Sequence, residues 1–107
     1  MEISKQDWKL FLEKLPVWQD RYKATLNASY IELLNGPGSA TEKFWELLKR
    51  IRLDKRHPGV VVNGLRPSDV PYLLRLFRCE NVITDEDLAD FSEELQRVVA
   101  AQCGEET

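Results

Sequence analysis

In the first third of the chain, apolar side chains recur at steps of three and four: Trp8, Phe11, Leu12, Leu15, Trp18, Tyr22, Leu26, Tyr30 and Leu33. At ~100° per residue these positions fall within an arc of about 120°, the width of a buried helical stripe. Ser4 precedes the stripe as an N-cap whose hydroxyl can accept an orphan backbone N–H, and Asp7 favours the positive end of the helix. The stripe keeps its phase across Pro16, although that residue removes a backbone donor and crowds the carbonyl of Leu12. A separate helix starting at Pro16 would have no reason to stay in phase. The pattern predicts one long helix over about residues 5–34, kinked near Pro16, with a break there as the alternative.

Asn35-Gly36-Pro37-Gly38 stops this helix, with Gly36 suited to a left-handed cap and Pro37 unable to continue it. Ser39 and Glu42 form a capping box for a second helix with Phe44, Trp45, Leu48 and Ile51 on one apolar face. It should end near Arg56, because His57 precedes Pro58 and is steered out of helical conformation. Val60-Val61-Val62 is the one β-leaning stretch. It has no partner strand in the chain, so it reads as an extended connector or as a strand pairing with another copy. Ser68 can cap a third helix running to about Glu80, with Val70, Leu73, Leu74 and Phe77 inward. Thr84 and Asp87 cap a fourth, carrying Leu88, Phe91, Leu95, Val98 and Val99, and the tail should fray from about residue 103. The expectation is an all-α single domain over residues 1–107. It would be a small bundle of four helices, or five if the first breaks at Pro16.

Composition narrows the class. A chain of 107 residues with 43% hydrophobic and 31% charged residues is an ordinary globular domain. No apolar run approaches the roughly 18 residues that span a bilayer, and the N-terminus lacks the basic-then-apolar pattern of a signal peptide. A cytoplasmic location is the expectation. The net charge of −3 hides a segregation: residues 49–78 carry +6 and residues 79–107 carry −8. Those blocks could attract one another within the fold, or the basic one could meet an acidic partner. Length adds a further point. A 30-residue helix is ~45 Å long against about 30 Å for a small domain. Its far end therefore needs cover, and a second copy of the chain is the expected source.

Catalysis needs convergent, tuned polar groups. The single histidine, His57, sits between Arg56 and Pro58 and reads as a polar helix-terminal residue. There is no Gly-x-Ser-x-Gly elbow. Cys79 and Cys103 with one His cannot build a four-ligand zinc site. A disulfide is not expected in a reducing compartment, so Cys79 reads as a small buried thiol and Cys103 as an exposed one. Gly36-Pro37-Gly38 lacks the Gly-Lys-Ser/Thr of a phosphate loop. The acidic run from Asp85 to Glu94 lacks the spacing of a calcium loop. No catalytic residue, cofactor or metal is expected, and the chain reads as a non-enzyme.

Two sets of residues remain as candidates for contact. Trp8, Trp18, Tyr22, Tyr30 and Trp45 carry the most apolar surface per residue and are the candidate interface residues, since Trp and Tyr anchor interfaces as well as cores. Lys49, Arg50, Arg52, Lys55, Arg56 and Arg66 are the candidate contacts for phosphate or an acidic partner. Nucleic acid is the weaker expectation. The chain is acidic overall with a pI near 5.2, and the helix placed to read a groove is its acidic last one.

Asp7-Trp8-Lys9-Leu10-Phe11, Tyr30-Ile31-Glu32-Leu33-Leu34, Lys43-Phe44-Trp45-Glu46, Pro58-Gly59-Val60 and Asp90-Phe91-Ser92-Glu93-Glu94-Leu95 resemble a family of short, uncharacterised helical bacterial proteins of about this length. The resemblance covers most of the chain, departing at Pro16 and at Asn63-Gly64-Leu65-Arg66-Pro67. Some members of that family carry the label "multidrug transporter", which a chain without an apolar span does not support. The resemblance implies no activity and no catalytic residues. The expected function is protein–protein contact, with a homodimer as one form of it and nucleic-acid association through residues 49–78 as the alternative.

Overall fold

The computed structural model describes residues 2–103, with side chains up to residue 100. In chain order its helices are α1 (Lys5–Asn35), α2 (Ala40–Asp54), α3 (Val70–Cys79), α4 (Asp85–Leu88) and α5 (Glu93–Cys103), with one 3-10 turn at Pro67–Asp69. There is no strand among the described residues, so the protein is all-α, and Val60–Val62 is a connector. The fraying expected of the tail and the exposure expected of Cys103 lie outside the described residues.

Pro16 does not break α1. Both Pro16 and Leu12 lie on the exposed side, so the carbonyl that loses its helical partner faces water, where the loss costs least. Ser4 caps the helix as the sequence predicts, its Oγ accepting from the Asp7 amide at 3.0 Å. The fifth helix arises instead at the other end of the chain, where the expected fourth helix divides between α4 and α5. Ser92 starts the second piece, its Oγ accepting from the Leu95 amide at 3.3 Å. The Gln96 side chain donates to the carbonyl of Phe91 at 2.7 Å and to that of Ala89 at 3.3 Å, so the interrupted backbone is satisfied.

Three local expectations need correction. Ser68 does not cap α3; the backbone enters through the 3-10 turn, where the Asp69 carboxylate accepts from the Arg66 amide at 2.9 Å. Gly36 is extended, and the positive φ after α1 falls on Gly38 (118°). Cys79 is disulfide-bonded rather than a free thiol.

The core is lopsided. Phe11, Leu15 and Trp18 of α1 pack with Val70, Leu73, Leu74 and Phe77 of α3, Val82 and Ile83 of the following turn, Leu88 of α4, and Phe91, Leu95 and Val99. Trp18 is its centre, 1% exposed. Its ring centroid lies 5.9 Å from Phe11, 6.4 Å from Phe77 and 6.1 Å from Phe91. The contacts with Phe11 and Phe77 are edge-on, the geometry that the ring quadrupoles favour. Beyond Tyr22, α1 leaves this core. Its last three turns run alongside α2, and α2 contains no buried residue. The molecule is therefore elongated, 51 × 31 × 18 Å, close to the ~46 Å that 31 helical residues span at 1.5 Å each. Leu12, expected inward, is 45% exposed, and Phe44 and Trp45, expected on a core face, are about 60% exposed.

Candidate contact surface on the helical arm

The α1–α2 arm is held by a polar bond at its base. The Tyr30 hydroxyl donates to the Asp54 carboxylate. Burial and then this hydrogen bond push the Tyr30 pKa up to about 12, because ionisation would set a phenolate against a carboxylate. The bond also fixes how each helix faces. On α2, Leu47 and Asp54 point toward α1, and at 100° per residue Phe44, Leu48 and Trp45 follow about 70–170° further round. On α1, Leu26, Tyr30 and Leu33 point toward α2, and Leu34 and Ile31 follow about 70–130° round in the same sense. Because the helices of a tight hairpin are antiparallel, equal rotations bring both sets to one side of the arm. A groove of about 270 Å³ opens at the base, lined by Lys23, Leu26, Tyr30, Ile51, Lys55 and Val60. Lys23 and Lys55 lie at the same rotations, so the groove belongs to the same side. That side carries Ile31 at 59%, Leu34 at 44%, Phe44 at 61% and Ile51 at 41% exposure, with Trp45 at its edge.

Of the candidate interface residues, only Trp45 presents a large free surface. Trp18 is the core residue just described. Trp8 is half-buried against the same core. Tyr22 is half-buried and stacks on His57, with centroids 5.0 Å apart and planes 28° from parallel. Tyr30 is half-buried and committed to Asp54. Sequence reading missed Phe44, Ile31 and Leu34 as surface residues because an apolar stripe looks the same whether it is covered or not.

His57 is a strut. Its Nδ1 accepts from the Gly59 amide at 2.8 Å, so the ring proton resides on Nε2, which meets Glu80 Oε1 at 2.7 Å. With both nitrogens engaged, the ring has no lone pair free to act as a base. Tyr22 needs Gly59 beneath it, since a Cβ there would lie 2.6 Å from Tyr22 Cδ2. Burial, then the nearby Asp54 and Glu80 carboxylates, raises the Tyr22 pKa.

A second carboxylate, Asp7, is buried and accepts from the Ser92 amide at 3.0 Å and the Ser92 hydroxyl at 2.6 Å. It ties the start of α1 to the start of α5. Among the described residues no three His, Cys, Asp or Glu side chains converge to hold a metal ion. No helix of the described residues is long and apolar enough to cross a membrane.

Among the described residues the charge blocks meet at His57, beside Glu80, and at Arg78. Arg78 pairs with Asp85 at 2.7 Å, and the acidic α4 is otherwise held by Arg21 of α1, which meets Asp87 at 2.6 Å. Arg50 pairs with Glu46 of its own helix and Arg66 with Asp69. Lys49, Arg52, Lys55 and Arg56, all exposed, have no ion-pair partner among the described residues. Comparison with protein-family models, curated proteins and solved structures finds no match, so the functional reading of this surface rests on its geometry.

Proposed function

We propose that the chain is a non-catalytic protein-contact module whose working surface is the apolar side of the α1–α2 arm. One observation carries this reading: α2 buries none of its residues, yet displays Phe44 and Trp45 side by side at about 60% exposure. Their rings meet edge-on at 5.0 Å. Leaving so much aromatic surface in water forgoes roughly 25 cal/mol per Å², and contiguous exposed apolar patches are characteristic of interaction sites.

The test is quantitative affinity capture with the wild-type chain and a Phe44→Glu/Trp45→Glu variant. Proteins bound by the first and lost from the second are expected. Identical captures from both would remove the arm as the working surface. A cytoplasmic setting is part of the proposal, and a reducing cytoplasm would open the bond at Cys79. Alkylation of thiols at the moment of lysis is expected to label Cys79; a protected thiol would place the protein in an oxidising compartment.

Lys49, Arg52, Lys55 and Arg56, without ion-pair partners among the described residues, favour nucleic acid as the second reading. Titration with duplex and single-stranded oligonucleotides at low salt is expected to give flat curves. Saturable, salt-sensitive binding that is lost on neutralising these four residues would replace the contact reading.

A further inference from the structure

The side of the arm described above holds a projecting aromatic and an apolar groove together. Phe44 lies near the tip, and the groove, centred around Ile51 to Lys55, lies about eight residues along α2, a separation of roughly 12 Å. A surface that carries both a knob and a hole is complementary to itself. When two such surfaces meet about a two-fold axis, each knob finds the other's hole, which defines an isologous contact. Building on the contact reading, we propose that the occupant of this surface is a second copy of the chain. The two arms pack antiparallel into a four-helix bundle, with Phe44 of each copy seated in the groove at the base of the other.

The area agrees with a stable dimer. Ile31, Leu34, Phe44, Trp45 and Ile51 are 41–61% exposed. Phe44 and Trp45, aromatics that each bury roughly 150–250 Å² when covered, alone leave on the order of 250 Å² of apolar surface, to which Ile31, Leu34 and Ile51 add. A standard interface buries about 800 Å² per partner, about 65% of it apolar when the partners are identical. These five residues therefore supply a large share of the apolar area that a homodimer needs, without help from the core.

Charge selects the antiparallel arrangement over its parallel alternative. The cations of α2 gather at its C-terminal end, where Arg52, Lys55 and Arg56 are unpaired among the described residues. A parallel pairing would bring both clusters together. The antiparallel one separates them by the length of the arm and sets the N-terminus of each α2 beside the C-terminus of the other, so the helix dipoles attract. Lys23 and Lys55 flank the groove and would stand over the incoming Phe44 ring, a favourable cation–π arrangement. The midpoint between knob and groove falls at Leu48, which places the two-fold axis beside that residue.

Sedimentation equilibrium of the full chain is expected to give twice the chain mass at tens of micromolar. Phe44→Glu should weaken the association at least about 30-fold, with an unchanged circular dichroism spectrum because that side chain is already exposed. A photo-crosslinking benzophenone residue in place of Leu48, in a mixture of isotopically light and heavy chains, should join light to heavy within residues 44–52. The same residue in place of Arg50, on the opposite flank of α2, should not. A single-chain mass up to hundreds of micromolar, beside capture of another protein that still depends on Phe44, would overturn the second copy and leave the contact reading standing. A dimer indifferent to Phe44→Glu, or crosslinked through position 50 and not 48, would overturn this packing.

Discussion

The two halves of α1 begin with the same pattern and end in different surroundings. Phe11, Leu15 and Trp18 are packed among α3, α4 and α5, whereas Leu26, Tyr30 and Leu33, continuing the same stripe, lie on the α2 side, with only Val60 of the connector beside them at the base of the arm among the described residues. The first half is a core built from four elements. The second is a two-helix arm, and two helices cannot enclose a third layer of side chains. Helical periodicity states which side of a helix is apolar; the number of elements that reach that side decides whether it is buried. The arm's exposed apolar side is thus a consequence of topology, and it is also where a partner has the most to gain.

The largest effect expected from this contrast is on stability. Trp18→Ala should cost about 3–5 kcal/mol, since it empties the centre of a packed core. Trp45→Ala should change the stability of the isolated chain by no more than about 0.5 kcal/mol, as an exposed substitution does. Urea unfolding measured at low protein concentration separates the two. Equal losses would mean that the arm shares the core after all.

Much of this was legible in the sequence, and the misreadings have physical causes. The continuity of α1 through Pro16 followed from the phase of the stripe. Ser4, Ser39 and Thr84 cap their helices, the hydroxyls accepting from the Asp7, Glu42 and Asp87 amides, but of the expected Ser39–Glu42 capping box only the serine half forms. The division of the last helix was missed because Leu88, Phe91 and Leu95 stay in helical phase across it. The signal was Ser92 followed by Glu93 and Glu94, a second N-cap with acidic residues in its first turn. The contact surface was missed for the reason α1 illustrates: Phe44, Leu48 and Ile51 read as a core face, and nothing local says that no third element covers them. The charge blocks showed only part of the pairing: Arg78 meets Asp85 across them, while residue 21, outside both, supplies the partner of Asp87.

The next effect is at the closure of the core. Asp7 is 5% exposed, and both of its oxygens are used by Ser92. Asp7→Ala leaves the Ser92 amide and hydroxyl without that acceptor, at a cost of about 2–3 kcal/mol. Ser92→Ala leaves a buried carboxylate with fewer donors and should cost about as much. A double-mutant cycle should show the two effects to be strongly non-additive. Additive losses would mean that the two ends of the core are not coupled through this bond.

The arm has its own, weaker lock. The folded Tyr30 has a pKa of about 12 against an ordinary 10.0. A raised tyrosine pKa contributes stability that is fully present below pH 10 and lost as pH rises toward 12, because the unfolded chain releases the proton first. Absorbance at the tyrosinate band should show Tyr22 and Tyr30 titrating above the ordinary value, and Tyr30→Phe should remove the phase near 12. Hydrogen exchange of α2 amides should accelerate between pH 10 and 12 beyond the intrinsic base-catalysed trend, while α3 keeps its protection. If α3 opens in the same window, arm and core are one cooperative unit.

The smallest effect falls where the two regions join. Arg21 stands at the turn of α1 from which the arm departs, and its guanidinium reaches Asp87 Oδ2 at 2.6 Å and the Val82 carbonyl at 3.1 Å. Partial burial alone would raise the Asp87 pKa. Hydrogen bonds from Arg21 and from the Thr84 amide, with the Arg21 charge, outweigh it and hold the carboxylate below its ordinary 3.8. A lowered carboxylate pKa contributes stability that is present above the ordinary value and lost as pH falls through the folded one. Asp87→Asn keeps an acceptor for the Thr84 amide and removes only the charge. With the Arg21 side chain 48% exposed, solvent screening limits the loss to about 1 kcal/mol at neutral pH. The gap between variant and wild type should close as pH drops below the ordinary carboxylate range. It should also shrink with added salt, as an exposed pair requires. A gap that persists in acid would mean that the carboxylate acts through its shape at the cap, and that the junction between core and arm is held by Arg21 and the Val82 carbonyl alone.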